Sequence, residues 1–222
     1  MRKFVPAYEG NLRKHTLSVP RCISECSGIR VFGRRIKSLV FSTDVAIIKN
    51  INADAIIAVY PFTPQPAITQ AIIGVSEVPV FCGVGGGLTN GVRSASMAAY
   101  VEHQGAYGVV CNSKIGMETI RDIKDAVEIP VVYTVISETT DIRPYLDAGV
   151  DIVNVSGAAR TPEIVAALRQ RYPELPIIAT GGPTEESILA TIQAGANAIT
   201  YTPPSSASLF AKTMAANRSE LA

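Results

Sequence analysis

Histidine is nearly missing from this chain: there are two in 222 residues. His15 lies in a basic stretch and His103 late in a helical one, and neither falls where a strand would end. Histidine-based catalysis and a histidine-ligated metal therefore have little to stand on, and both residues are read as structural or exposed. Cysteine is scarce as well, with four in the chain, far below the density of a disulfide framework. Cys22 and Cys26 lack the companion pair that zinc would need, and Cys82 and Cys111, inside β-rich runs, are read as buried, inert thiols. No stretch approaches the roughly 18 uninterrupted apolar residues of a membrane span. The opening MRKFVPAYEG lacks the apolar centre of a secretory signal. A cytoplasmic protein with reduced thiols and no membrane partner is the expectation.

Charge of one sign is also lacking overall. The net charge is +1, with 18% charged and 47% hydrophobic residues, enough apolar material for one large domain with a substantial core. The distribution is uneven. Residues 1–37 carry nine Lys or Arg against Glu9 and Glu25, a local +7 that leaves −6 on the remainder. Without interleaved aromatics this basic segment is a poor nucleic-acid surface, so nucleic acid is not the expected partner. Residues 1–37 are instead read as an extension packed on residues 38–222. Within it, PRCISECSG is expected to form a short helix closing the bottom of the main domain, and GIRVFGRRIKSL a hairpin leading into the first strand.

What the chain does have, from residue 38 on, is a rhythm. Eight short β-rich runs recur, at 38–43, 55–60, 79–83, 108–112, 130–136, 151–156, 176–180 and 198–202. Between them lie amphipathic stretches such as GMETIRDIKDAV and TPEIVAALRQRY, with apolar residues three and four apart and glycine at several stops. Almost continuously apolar strands alternating with helices imply a parallel sheet covered on both faces, and eight such units imply closure into an α/β (β/α)8 TIM barrel. An open doubly wound sheet is the competitor. The junctions AGVDI (148–152) and AGANAI (194–199) suit the short helix-to-strand loops of the closed form.

In IIATGGPTEES (177–187), an apolar strand runs into Gly181 and Gly182 and then into a helix start. Glycine lets backbone N–H groups approach a ligand, and a helix start offers unpaired donors, so an anion seat is expected there. A second cluster, CGVGGGLTNG (82–91), fails the G-x-G-x-x-G spacing and lacks an acidic residue at ribose distance, which argues against dinucleotide binding. Gly85, Gly86 and Gly87 are read as a lid or backbone cradle. Strand alternation then selects the inward positions: Val110, Asn112 and Lys114 from the fourth unit, Thr134 and Glu138 from the fifth, Asn154 and Ser156, Thr180, and Thr200 and Thr202. Ser42, Asp44 and Tyr60 end the first two strands, Asp44 being read as a helix cap. Buried polar groups at strand ends should line a wet site. Lys114 and Glu138, at neighbouring strand ends, are the expected catalytic pair: a lysine with lowered pKa as base or Schiff-base amine, and a carboxylate as its acid or base partner.

The stretches DAGVDIVNVSG and LPIIATGGPTEESILATIQAGANAIT, with the β/α spacing, resemble the phosphate-binding group of TIM barrels, which includes thiamin-phosphate synthase, N-acylmannosamine-6-phosphate epimerase and thiazole synthase. The resemblance covers about residues 38–217 as architecture and is sharp only in the last three units. It implies a substrate phosphate seated on the loops after strands seven and eight, at Gly181, Gly182 and Ser205–Ala207. The chain departs from the group at YTPPSSAS (201–208), where Pro203 and Pro204 have no N–H to donate, leaving Ser205 and Ser206 to compensate. The expected function is an enzyme that isomerises or cleaves a small phosphorylated or carboxylated metabolite by proton transfer; the alternative is a barrel that binds a small anionic metabolite as a sensor or scaffold. No cofactor and no His/Cys metal site are implied. Mg²⁺, which needs only one or two carboxylates, and a homo-oligomer stay open.

Overall fold

A computed structural model describes residue 4, residues 6–8 and residues 16–219; His15 and most of the first fifteen residues lie outside the described residues. Eight parallel strands form a closed barrel: β3 (Ser38–Phe41), β4 (Ala55–Ala58), β5 (Val80–Gly85), β6 (Gly108–Cys111), β7 (Val131–Val135), β8 (Ile152–Val155), β9 (Ile177–Thr180) and β10 (Ala198–Tyr201). They pair in sequence order, and β10 closes on β3. Each is followed by a helix: α1 (Val45–Lys49), α2 (Pro66–Val75), α3 (Val92–His103), α4 (Met117–Ala126), α5 (Arg143–Asp147), α6 (Thr161–Arg171), α7 (Glu185–Gln193) and α8 (Ser206–Ser219). The expected β/α order is therefore observed, with strand ends differing by at most two residues. No helix among the described residues is long and apolar enough to cross a membrane.

Strand alternation separates two apolar layers. Leu39, Ile57, Phe81, Val110, Val132, Ile152 and Ile178 fill the interior. Val40, Ile56, Cys82, Val109, Cys111, Val131, Val153 and Ile177 face outward and pack with Ile120, Ile123, Ile164, Leu168 and Ile188 of the helices. Cys82 and Cys111 are both fully buried, and burial pushes both thiols up to about 12.

One junction recurs at the N-terminal ends of the strands. A residue just before an even-numbered strand accepts the first free N–H of the preceding odd one. Asp54 Oδ2 accepts from Lys37 N (2.8 Å) and Ser38 N (3.0 Å), Asp151 Oδ2 from Val131 N (2.9 Å), and Asn197 Oδ1 from Ile177 N (2.9 Å). Two of these acceptors lie in the AGVDI and AGANAI junctions, where Gly149 (φ 113°) and Gly195 (φ 110°) end a helix in a conformation that side chains rarely adopt. Lys124 then reaches Asp151 at 2.7 Å and Arg169 reaches Asn197 at 2.7 Å, tying the helix two units back to the same corner.

Ahead of the barrel, Arg21–Glu25 forms a 3-10 turn, and β1 (Ile29–Val31) pairs antiparallel with β2 (Arg34–Ile36). Phe32 (φ 46°) and Gly33 (φ 79°) make the two-residue turn with both φ positive that suits a hairpin's twist. Ile29, Val31 and Ile36 join the interior cluster of the barrel. Phe32 meets the Tyr107 ring edge-on at 5.6 Å, and Gly28 N donates to Asn197 O at 2.8 Å. Both partners precede barrel strands, so the hairpin contacts the end where the strands begin.

Candidate functional site

At the opposite end, where the strands finish, a cavity of about 470 Å³ opens among the β-to-α loops. Its wall has two unlike halves. Phe41 of β3, Ile57 of β4, and Val59 with the following Tyr60, Pro61, Phe62, Thr63 and Pro64 supply an apolar and aromatic side. Asn112, Thr134, Asn154, Ser156, Thr180, Thr200 and Thr202, from β6 to β10, supply a hydrogen-bonding arc. Ladder register makes this arc continuous: Thr134 is paired with Asn154, and Thr180 with Thr200. Gly83, Gly85, Gly87, Leu88 and Thr89 bridge the halves, with Leu88 97% exposed.

The arc is under-satisfied. Asn154 Oδ1 and Thr200 Oγ1 are buried with no hydrogen-bond partner, and so is Glu138 Oε2 near the rim. Thr180 Oγ1 makes a long bond to Val155 O (3.4 Å). Asn112 is held more firmly, its N donating to Gly85 O at 2.9 Å and its Oδ1 accepting from Lys114 N at 3.3 Å. On the other half, the Tyr60 phenol oxygen accepts from Gln65 N at 2.7 Å, which pins the loop before α2.

The inward polar residues expected from strand alternation, Asn112, Thr134, Asn154, Ser156, Thr180, Thr200 and Thr202, thus share one cavity. The expected catalytic pair does not come together. Lys114 and Glu138 are not among the lining residues. Glu138 is ion-paired with Arg160, from the short turn after β8, rather than with Lys114, and Lys114 is exposed. The physical reason is local. Inward parity holds only while the ladder lasts, and β6 ends at Cys111 while β7 ends at Val135. Past those points, turns closed by Ile115 N to Asn112 O (3.0 Å) and Thr140 N to Ser137 O (3.2 Å) redirect the side chains.

The expected anion seat is likewise separate from the cavity. Gly181, Gly182, Ser205 and Ser206 are absent from its wall. Gly181 N donates to Thr200 O at 3.2 Å. The first turn of α7 is closed by its own residues, with Ser187 N on Thr184 Oγ1 (3.3 Å) and Thr184 N on Ser187 Oγ (3.2 Å). Glu186, held below the usual carboxylate range by its own backbone N–H and then by the Thr184 hydroxyl, already places a negative charge there. Ser206 N and Oγ donate to Asp44 Oδ2 at 3.0 and 2.5 Å, while Ser205 Oγ accepts from Ser208 N at 3.2 Å in the first turn of α8. Asp44 itself caps α1 through Ala46 N and Ile47 N, as expected.

Of the glycine tract, Gly85 and Gly87 line the cavity and Gly86 does not. The tract is not slack. A Cβ on Gly85 would lie 2.1 Å from Ser94 Oγ, and one on Gly86 2.8 Å from Asn112 Cβ. With both φ values positive, Gly85 leaves room for Ser94 and Thr89, and Gly86, just past β5, lets the backbone approach Asn112 closely. Of the apolar half of the wall, only Tyr60 is anticipated from the sequence; Phe41 and the rest of the loop to Pro64 are not. Its signal was YPFTPQP, three prolines directly after a strand, which marks a stiff loop on the same face.

The class of protein is now defined: a (β/α)8 barrel whose ligand-sized cavity lies on the face where this fold builds its sites. No protein-family profile and no curated protein sequence matches the chain. Solved structures do. Phosphonopyruvate hydrolase, in complex with oxalate and Mg²⁺, matches with 15% identity over 82% of this chain and 80% of its own, at a TM-score of 0.63. Phosphoenolpyruvate phosphomutase from Streptomyces platensis subsp. rosaceus matches with 15% identity over 82% and 80%, at 0.61. A 2,3-dimethylmalate lyase, a member of the PEP mutase/isocitrate lyase superfamily, matches with 15% identity over 90% and 80%, at 0.63. At these identities the likeness is one of fold. These barrels are not the synthases or the epimerase named in the sequence resemblance, and that finer resemblance is not carried by them. A Mg²⁺ ion needs a carboxylate or two. The wall here holds no Asp or Glu, and no group of three or more His, Cys, Asp or Glu among the described residues is placed to hold a metal, so the cavity does not fit that ion.

Proposed function

We propose that this chain is a cytoplasmic enzyme that takes a small carboxylated or phosphorylated metabolite into the mouth of its barrel and acts on it by proton transfer, as an isomerase or lyase. The observation that carries the proposal is a ligand-sized cavity whose wall includes Asn154 and Thr200, each with a buried oxygen lacking a partner. Each such group costs a fold about 1–3 kcal/mol, and costs of this kind concentrate at functional sites. The shared architecture with barrels named for phosphonopyruvate, phosphoenolpyruvate and dimethylmalate supports an anionic substrate. The cations for its charged group are Lys114 and Arg160, outside the neutral wall. Lys114, on its four-carbon stem, and Glu138, with one oxygen ion-paired to Arg160 and the other unpaired, are the proposed acid/base pair. The hairpin of residues 29–36 is proposed to close the N-terminal end, as part of an extension that ends at residue 37.

A second reading is favoured by one observation: apart from the Tyr60 phenol, the wall carries no titratable side chain. On that reading the barrel binds its metabolite without converting it. A panel of phosphorylated and carboxylated carbonyl compounds, followed by ³¹P and ¹H NMR for turnover and by calorimetry for binding, separates the two. Turnover that is abolished in Lys114→Met while binding is weakened but not lost supports the enzyme. Binding without turnover supports the second reading, and binding that is indifferent to Asn154→Leu sinks both.

A further inference from the structure

We infer that the part of the ligand held inside the barrel is a planar, uncharged heterocycle with an amide-type edge, of the nucleobase class, any charged group staying at the rim. This rests on the proposal that the mouth cavity is the ligand site, and it narrows the substrate class of that site.

Three properties of the wall lead there. First, no Lys, Arg, His, Asp or Glu lines the cavity. An ionised group moved against this wall would give up its water without meeting a counter-charge, a cost that only a neutral moiety avoids. Second, the polar groups are concentrated on one side. Most come from β6 to β10, while the β3–β4 side is built chiefly from Phe41, Ile57, Val59, Pro61, Phe62 and Pro64, its polar side-chain groups being the Tyr60 phenol, which already accepts from Gln65 N, and the Thr63 hydroxyl. A sugar carries hydroxyls around its whole ring and would turn several of them towards this mostly apolar side. A heterocycle instead presents one edge to the arc and its apolar face or opposite edge to the aromatic side.

Third, the partners at the arc match an amide edge. Asn154 offers a carbonyl and an NH₂ side by side, the pairing that reads adjacent N–H and C=O or ring-nitrogen groups of a base. Its Oδ1 has no partner in the protein, so rotation of the carboxamide towards a ligand sacrifices no bond at that oxygen. Thr134, directly beside Asn154 in the ladder, and Thr200, whose Oγ1 is also unpartnered, can each donate or accept as the edge requires. The second carboxamide, Asn112, is positioned by its own N–H on Gly85 O and by Lys114 N on its Oδ1.

The test uses the full chain and three probe sets: the neutral bases uracil, adenine and hypoxanthine; the anions oxalate and inorganic phosphate; and the sugars ribose and glucose. Binding is read by calorimetry and thermal shift. The expected result is that at least one base binds, that its affinity changes less than threefold between 50 and 500 mM NaCl, and that Asn154→Leu weakens it at least tenfold. Thr200→Val serves as a second variant, expected to weaken binding several-fold in a chain that still melts cooperatively. If oxalate or phosphate binds with loss in Asn154→Leu while no base does, the inference falls and the mouth site stands. Binding of sugars alone also overturns it. If no probe binds, or none responds to either variant, the inference falls together with the site.

Discussion

Thr200→Val should make this protein more stable. Thr200 is 6% exposed, and its Oγ1 is buried without a partner. Leaving such a hydroxyl unsatisfied costs about 1–3 kcal/mol, and valine has nearly the same shape and an equal liking for a strand. Taking the low end, because the residue keeps some exposure, the substitution gains about 1 kcal/mol, or about 2–4 °C in Tm for a chain of this length. Thr200→Ser is the matched control. It keeps the hydroxyl and deletes a methyl facing the interior, which costs about 1 kcal/mol, so the two variants should melt about 4–8 °C apart with the wild type between them. Scanning calorimetry, with urea unfolding as a check on reversibility, reads this directly. A Tm for Thr200→Val below the wild type would refute the reasoning: it would mean that the hydroxyl is satisfied in the folded state and that the cavity's polar arc serves stability rather than a ligand.

Other outcomes follow from the corners of the barrel. Asp44, whose carboxyl is held below its ordinary value chiefly by the Ser206 hydroxyl, caps α1 and anchors the start of α8; Asp44→Ala should cost about 1–2 kcal/mol in urea unfolding. Because the folded state lowers this carboxyl, its contribution is present above the unfolded value near 3.8 and is lost as pH falls through the folded one, so the wild type and Asp44→Ala should converge on acidification and differ fully at neutral pH. A gap that widens towards low pH would reverse the assignment. At Asp151, the ion pair with Lys124 is half-exposed and worth at most about 1 kcal/mol, whereas the carboxylate also answers Val131 N. Asp151→Asn should therefore cost less than about 1 kcal/mol and Asp151→Ala about 1–3 kcal/mol; equal losses would show that the charge, and not the acceptor, matters. Lys114→Met should leave Tm within about 1 °C, as expected of an exposed side chain, while reducing turnover of the substrate at least a hundredfold, measured by NMR.

Much of this fold could be read from the chain because each of its units repeats the same two physical requirements. Strands such as PVVYTVI are apolar on both faces, and the stretches between them are apolar on one, so only a covered parallel sheet satisfies both. The inward positions of Thr134, Asn154, Thr180 and Thr200 follow from strand parity, which is fixed as long as the ladder runs. Lys114 and Glu138 each lie three residues beyond their ladders, where direction is set by turns that parity does not describe. The glycines at 181 and 182 illustrate another blind spot. Composition shows that donors can approach a ligand, but not that Gly181 N is already taken by Thr200 O or that Thr184 and Ser187 close the helix start between themselves.

The same contrast bears on what the cavity can do. Its charges and its hydrogen bonds are segregated: Lys114, Glu138 and Arg160 lie on the strand-end turns, while the interior wall is neutral from Asn112 round to Thr202. A barrel that stabilised a buried anion directly would need a cation or a set of free backbone donors at the wall, and at the expected seat Gly181 N, Thr184 N, Ser187 N and Ser206 N are already engaged. A neutral arc instead selects by shape and by the pattern of donors and acceptors, since a wrong partner leaves a buried group unpaired at about 1–3 kcal/mol each. Discrimination of that kind is insensitive to salt, whereas any contribution from the rim cations must fade as ions screen them over about 10 Å at 0.1 M. The salt dependence of ligand affinity therefore measures how the binding energy is divided between rim and wall. An affinity that collapsed at high salt in the wild type, and equally in Lys114→Met, would take Lys114 out of recognition and leave Arg160 as the rim cation.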